Sequence, residues 1–174
     1  MTNIIDYQSI PPKQFINKLY YDTLETAVGH CYIARTSDDH IVFIGFTTPQ
    51  YDALTISQYY FKNAKFVHKS LDINALKNSS VTLYGTPFQL QVWQYLTTIK
   101  SNHTISYQEV AQQLGKPTAA RAVGQAIGQN PVCILIPCHR VIYKSGQTGH
   151  YAWGATIKRQ LLSLEAQGKG WLIQ

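Results

Sequence analysis

Two helix starts that follow Gly85 constrain this chain more than any other feature. Thr86-Pro87-Phe88-Gln89 sets threonine at the N-cap, proline at the first helical position and glutamine three residues after the cap, a capping box. Ser106-Tyr107-Gln108-Glu109 is a second box. Phe88, Val92, Leu96 and Ile99 follow the first at helical spacing, and Val110, Ala111 and Leu114 face inward after the second, which Gly115 closes. Pro117 is expected to start a third helix over 117–128. Two short helices around Gly115-Lys116-Pro117 are the pattern of a helix-turn-helix, whose second member often enters a DNA groove. That member carries Ala119, Ala120, Ala122, Gly124 and Ala126 around one long basic side chain, Arg121. Small residues let a backbone approach something closely, although helix packing selects them too and is the commoner reason.

The first half reads differently. Ala27–Arg35 and Ile41–Phe46 are rich in β-branched and aromatic residues and flank Ser37-Asp38-Asp39, which predicts a hairpin; residues 53–63 read as helix and Val81–Tyr84 as a short strand. At 174 residues the chain is one domain or two small ones, and 45% hydrophobic residues supply ample core. The expected fold is α+β, with a small α/β unit over 1–84, a mostly helical unit over 85–174, and the boundary within about 73–86.

Charge supports that division. Residues 1–84 carry seven Lys/Arg and seven Asp/Glu, while residues 85–174 carry eight Lys/Arg against Glu109 and Glu165 alone, so the net +6 lies wholly in the second half. A basic unit beside a neutral one suggests a polyanionic partner, nucleic acid before others, and this tips the small-residue helix toward DNA. The N-terminus has no basic leader with an apolar run, and no segment approaches the length of a membrane helix, so no membrane partner is expected. Three cysteines, Cys31, Cys133 and Cys138, form no disulfide framework and suit a reducing, cytoplasmic setting.

The chemistry concentrates after Asn130-Pro131, where Pro131 ends the third helix. An apolar stretch, Val132 to Ile136, then delivers Cys138 between Pro137 and His139-Arg140. A thiolate is the nucleophilic form of cysteine, and a neighbouring cation or base favours it. In extended chain Cys138 and His139 point to opposite sides, so a water or a turn has to connect them. Ile157, Leu161 and Leu164 mark a helix ending at Gly168, and Glu165 on it is expected to orient His139 and favour its protonated form, completing a Cys, water, His, Glu relay. An exposed helix glutamate is the commoner role for such a residue. Cys133 and Cys31 read as core, and His30-Cys31 lacks the paired spacing of a zinc site, so no metal is expected.

These residues resemble the O6-alkylguanine-DNA alkyltransferases, the methylated-DNA–protein-cysteine methyltransferases. The resemblance runs through Gly85-Thr86-Pro87-Phe88-Gln89 with Val92-Trp93, Ser106-Tyr107, Arg121-Ala122-Val123-Gly124, Asn130-Pro131, Ile136-Pro137-Cys138-His139-Arg140-Val141, Gly149 to Gly154, and Leu161-Leu162 with Glu165. It covers essentially all of 85–174; the first half matches only by length and hairpin. It implies an N-terminal ribonuclease-H-like domain and a C-terminal winged helix-turn-helix. It implies duplex DNA containing O6-alkylguanine as partner, no cofactor, and a protein that is a monomer in solution with scope for cooperative assembly on DNA. Cys138 would accept the alkyl group of O6-methylguanine, with O4-methylthymine a further candidate, and act once. Arg121 would fill the space of a flipped base. Tyr107 would donate a proton, Asn130 would brace the turn before the cysteine, and Val141 with Tyr151-Ala152-Trp153 would line the base pocket. Trp153 stands where some members carry glycine, implying a tighter pocket; Asn102 replaces a frequent glycine and Cys133 a common proline. A turnover Cys-His hydrolase and a damage-binding relative are the competing classes. The first leaves Arg121 without a role and the second lacks the nucleophile.

Overall fold

The computed structural model describes residues 5–72 and 79–172, so the boundary segment expected at 73–86 falls partly outside the described residues. The chain divides into two compact units, one of residues 1–25 and 29–90, the other of residues 26–28 and 91–174.

The first unit runs β1 (Ile5–Gln8), a 3-10 turn (Pro12–Gln14), β2 (Lys18–Thr26), β3 (Gly29–Arg35), β4 (Ile41–Phe46), α1 (Ala53–Tyr60), β5 (Lys65–His68) and β6 (Val81–Tyr84). Its six-stranded sheet has the order β1-β6-β4-β3-β2-β5. The hairpin expected from residues 27–46 is the antiparallel β3–β4 pair, with Ile33 opposite Ile44. Every residue of β4 is buried, as a continuous apolar run demands when both sheet faces are covered. Parallel β5 adds beside β2 with Leu19 opposite Phe66, and β1 pairs in parallel with β6.

Asp52 caps α1 by accepting from Leu54 N and Thr55 N. The helix stops at Tyr60 rather than 63. Phe61 leaves helical geometry (φ −107°, ψ 56°) and is fully buried, packing edge-on against Phe15 and Tyr84, so aromatic burial overrides local propensity.

The second unit is built on α2 (Pro87–Leu96, which begins in the first unit), β7 (Ile105–Ser106), α3 (Tyr107–Gln113), α4 (Ala120–Gly128), a 3-10 turn (Cys138–Arg140), β8 (Val141–Ile142) and α5 (Ala155–Ala166). Both capping boxes form: Gln89 N donates to Thr86 Oγ1 (3.3 Å) while Thr86 N donates to Gln89 Oε1 (2.8 Å), and Ser106 with Glu109 repeats the exchange. Helix α2 ends before Ile99 because the hydroxyls of Thr97 and Thr98 bond back to Gln94 O and Tyr95 O. Gly115, at φ +69°, closes α3 in a Schellman motif, with Gly115 N on Gln112 O and Lys116 N on Ala111 O.

The next helix starts three residues later than expected. Lys116 to Ala119 form a turn with Pro117 in its second position, where a fixed φ is favoured, and Ala119 N donates to Lys116 O; α4 begins only at Ala120. Trp93 is fully buried and its Nε1 donates to Ala126 O at 2.8 Å, tying α2 to α4. Among the described residues no helix is long and apolar enough to cross a membrane.

Candidate active site

Cys138 does not arrive on a strand. Ile134 takes φ +74°, a strained conformation for a β-branched residue, and the chain doubles back so that Ile136 N donates to Val132 O. Asn130, buried at the end of α4, clamps the turn from inside: its Nδ2 donates to Ile136 O at 2.9 Å and its Oδ1 accepts from Val132 N at 3.1 Å. Pro137 then feeds a 3-10 turn with Cys138 first in it. Of the two connections the sequence allowed, a water or a turn, the structure forms a turn here, and its side-chain clamp satisfies these backbone groups without a neighbouring strand.

A cavity of about 200 Å³ opens above the sulfur, lined by Tyr107, Gly124, Asn130, Tyr151, Ala152 and Trp153 among others. Burial pushes the Cys138 thiol up, opposed by hydrogen bonds from Asn130 and Tyr151 and by the charge of Lys158. At rest the sulfur is therefore a thiol.

Beneath it, His139 Nε2 lies 2.8 Å from Glu165 Oε1. Glu165 also accepts from Arg140 Nε and Nη2 and from Asn102 N, and these partners outweigh burial and hold its carboxyl down at about 2. An ionised carboxylate only accepts, so Nε2 carries the imidazole proton. His139 Nδ1 is buried with no hydrogen-bond partner, left as a base. Burial also lowers the pKa of His139, more than Glu165 raises it. Glu165 thus orients His139 and favours its protonated form, as expected, but desolvation and the Arg140 charge penalise the cation more. Arg140 is likewise no partner of the thiol, since its guanidinium bonds Glu165 and the carbonyl of Ile99.

Lys158 was not among the sequence candidates. It is fully buried, its Nζ donates to Val141 O at 2.6 Å, and burial lowers its pKa to about 8. The available signal was its place beside Ile157 on the apolar face of α5, three residues before Leu161. Lysine stems commonly lie along such faces, which hides the signal.

Around the mouth, Tyr107 packs over Gly124, whose added Cβ would meet the ring at 3.6 Å, and burial raises the Tyr107 hydroxyl to about 12. A second cavity of about 470 Å³ joins Tyr107 to Ala120, Arg121, Gly124, Tyr143 and Lys144. Ala119 is the N-cap of α4 and Ala122 is exposed, and neither lines this cavity. Val141 is buried and takes part through its carbonyl, not as a wall of the Cys138 cavity. Among the described residues no group of three or more His, Cys, Asp or Glu is placed to hold a metal ion.

A buried thiol under a small cavity, backed by a His–Glu pair and set behind a helix-turn-helix, defines the class as a cysteine-centred site in a helix-turn-helix unit. Comparison with known proteins gives the class its family. The pattern described as "6-O-methylguanine DNA methyltransferase, DNA binding domain" matches residues 87–167. The methylated-DNA–protein-cysteine methyltransferase of Mycobacterium bovis is 54% identical over 83 residues, covering 48% of this chain and 50% of that protein. The bifunctional transcriptional activator/DNA repair enzyme Ada of Escherichia coli is 49% identical over 85 residues, covering 49% of this chain and 24% of that protein. The crystal structure of Mycobacterium tuberculosis OGT in complex with DNA superposes with a TM-score of 0.72 at 32% identity, covering 86% of this chain and 94% of that one. The chain belongs to the methylated-DNA–protein-cysteine methyltransferase family. Its match spans half the length, or less, of these curated relatives. The mixed α+β architecture expected from the sequence is the one it shares with the mycobacterial structure.

Proposed function

We propose that this protein repairs O6-alkylguanine, mainly O6-methylguanine, in duplex DNA by moving the alkyl group onto Cys138, once per molecule and without a cofactor; O4-methylthymine is a further substrate. The observation that carries this reading is the placement of Cys138 at the floor of a cavity whose rim is the small-residue helix α4. The mycobacterial relative solved with DNA supports duplex DNA as the partner. On this reading residues 1–84 form a domain of their own, residues 85–174 bind DNA and accept the alkyl group, and the protein acts as a cytoplasmic monomer that assembles along DNA.

The lesion leaves the stack, Arg121 occupies the gap, and the guanine enters the cavity between Tyr107 and Trp153. His139 Nδ1 takes the Cys138 proton through a bridging water, and Glu165 balances the imidazolium that forms. Lys158 and Asn130 stabilise the thiolate, which attacks the alkyl carbon in line. The sulfur–carbon bond forms as the carbon–O6 bond breaks, and the guanine leaves with a proton from the Tyr107 hydroxyl; the tyrosinate, basic because its pKa is raised to about 12, is reprotonated from solvent while the imidazolium gives up its proton to solvent. No group beside the sulfur can hydrolyse a thioether, so the reaction stops at one equivalent.

The direct test is intact mass and peptide mapping after mixing with a duplex bearing one O6-methylguanine. One methyl group on Cys138, saturating at one equivalent, supports the proposal. Unchanged mass with tight binding points to a damage binder, and unchanged mass without binding to a hydrolase.

Arg121→Ala is expected to lower the ratio of duplex rate to free-base rate on the order of 100-fold, because only the duplex has a gap to fill. Equal losses on both substrates would remove the finger role. Trp153, 4% exposed, narrows the cavity, so Trp153→Gly is expected to speed reaction with O6-benzylguanine about tenfold relative to O6-methylguanine. An unchanged ratio would discard the pocket argument.

A further inference from the structure

Two tyrosines line the Cys138 cavity, and the proposed chemistry gives a step to Tyr107 but none to the hydroxyl of Tyr151. That hydroxyl is buried and bonds no nitrogen or oxygen among the described residues. Two sulfurs face it instead, those of Cys133 and Cys138. A buried polar group of this kind is costly to keep, so its surroundings call for an explanation. Cys133 is 1% exposed, a core residue as its sequence suggests, yet the turn that presents Cys138 also brings this second thiol to the same oxygen. Ile134, at φ +74°, folds the chain back; Leu135 N donates to Cys133 O at 3.0 Å, and Cys133 forms a bridge with Ile136.

A phenol has one proton to donate and lone pairs that accept, and a thiol has one weak donor. While Cys138 is a thiol, either sulfur can take the hydroxyl hydrogen. Once Cys138 is a thiolate it only accepts, so the hydroxyl donates to it and the Cys133 S–H is placed to donate to the hydroxyl oxygen. Burial and the two sulfurs raise Tyr151 well above the ordinary phenol value, which keeps its proton in place for this role. Hydrogen bonds in series polarise one another, and a donor to a buried anion counts for more than one in water. No bond to hydrogen breaks along this chain: the hydrogens turn, and the Cys138 proton leaves through His139 as above. The other groups facing Cys138 are Tyr107 from α3, Asn130 after α4, Lys158 from α5, and His139 with Glu165 behind it. They act whether or not position 133 carries a donor, which separates its effect from theirs.

We infer that Cys133 is a positioning residue for the alkyl transfer: acting through the Tyr151 hydroxyl, its thiol turns that hydroxyl's hydrogen toward Cys138 and stabilises the attacking thiolate. Its purpose rests on the repair reading above, but the thiolate can be measured without DNA.

The experiment follows two rates against pH. One is modification of Cys138 by methyl methanethiosulfonate, read by peptide mass; the other is single-turnover transfer from a duplex bearing one O6-methylguanine. The proteins are wild type, Tyr151→Phe, Cys133→Ala, Cys133→Ser and the double variant Tyr151→Phe/Cys133→Ala. Losing a donor to the anion raises the pKa of the Cys138 thiol, so Tyr151→Phe is expected to move both profiles about one pH unit to the alkaline side and Cys133→Ala about half a unit. Cys133→Ser should stay within about twofold of wild type at each pH, because its hydroxyl donates in the thiol's place. In the Tyr151→Phe background Cys133→Ala is expected to add nothing, since the connecting hydroxyl is gone. The inference is overturned if Tyr151→Phe leaves the profiles in place, if serine does not rescue, if Cys133→Ala shifts them equally in both backgrounds, or if it slows both rates alike at every pH, which is packing alone. A wild type whose Cys138 is modified by the reagent but takes nothing from the duplex refutes the repair reading, while the reagent series still decides the role of Cys133.

Discussion

On the proposed repair reaction, Cys138→Ser is expected to abolish methyl transfer while leaving duplex binding largely intact. The serine hydroxyl has the right size and keeps its place in the 3-10 turn. Unlike a thiol, however, it is not converted to a free anion at this site, because an alkoxide costs far more than a thiolate, and oxygen is a weaker nucleophile than sulfur toward saturated carbon. The surroundings sharpen the contrast: burial already opposes the thiolate of Cys138, and only Asn130, Tyr151 and the Lys158 charge offset it. Intact mass after incubation with lesion-bearing duplex is the measurement. A methyl adduct on the variant, whether at position 138 or on the buried Cys133, would sink the assignment of the acceptor.

Glu165→Ala is the largest stability change expected. Glu165, 13% exposed, gathers His139, two guanidinium nitrogens of Arg140 and the Asn102 backbone. Removing it strands a half-buried cation and a buried, oriented histidine, at a cost of about 3 kcal/mol. The pH dependence follows from the same contacts. The folded-state pKa, about 2, lies below the ordinary 4.5, so the unfolded chain binds the proton more readily. The stabilisation, about 3 kcal/mol, is thus complete above roughly pH 5.5 and is lost as pH falls through the folded value near 2. Chemical denaturation of wild type and variant at neutral pH and near pH 3 tests this. The gap between them should be wide at neutral pH and clearly narrower near pH 3, part-way through the loss, and a constant gap would show that the carboxylate contributes through packing alone. Transfer by the variant should also slow, because nothing orients His139 or balances its charge.

Much of this was legible in local signals. The two capping boxes at Thr86 and Ser106, the Gly115 closure and the 33–44 hairpin are set by contacts within a few residues, which is why they could be read along the chain. Errors arose where distant groups decide. Phe61 ends α1 because a core of aromatic residues waits for it, whereas the Lys116 to Ala119 turn before α4 is itself local, Pro117 suiting a turn as well as a helix start. Strands β1, β2 and β5, which were not anticipated, are held in parallel pairs with partners far along the chain, and such pairing leaves little local trace.

The candidate site divides in the same way. The amino-acid sequence by itself marked the candidates: a thiol, an imidazole and a carboxylate in a basic, helix-turn-helix half, near a helix of small residues with one arginine. Only the tertiary structure decided their states and alliances. It turned the cysteine onto a 3-10 turn clamped by Asn130, gave Arg140 to Glu165 instead of the thiol, kept His139 neutral, and brought in Lys158 from α5. Residue type is written in the chain, but protonation depends on desolvation and on charges within a few ångströms, and folding alone sets both.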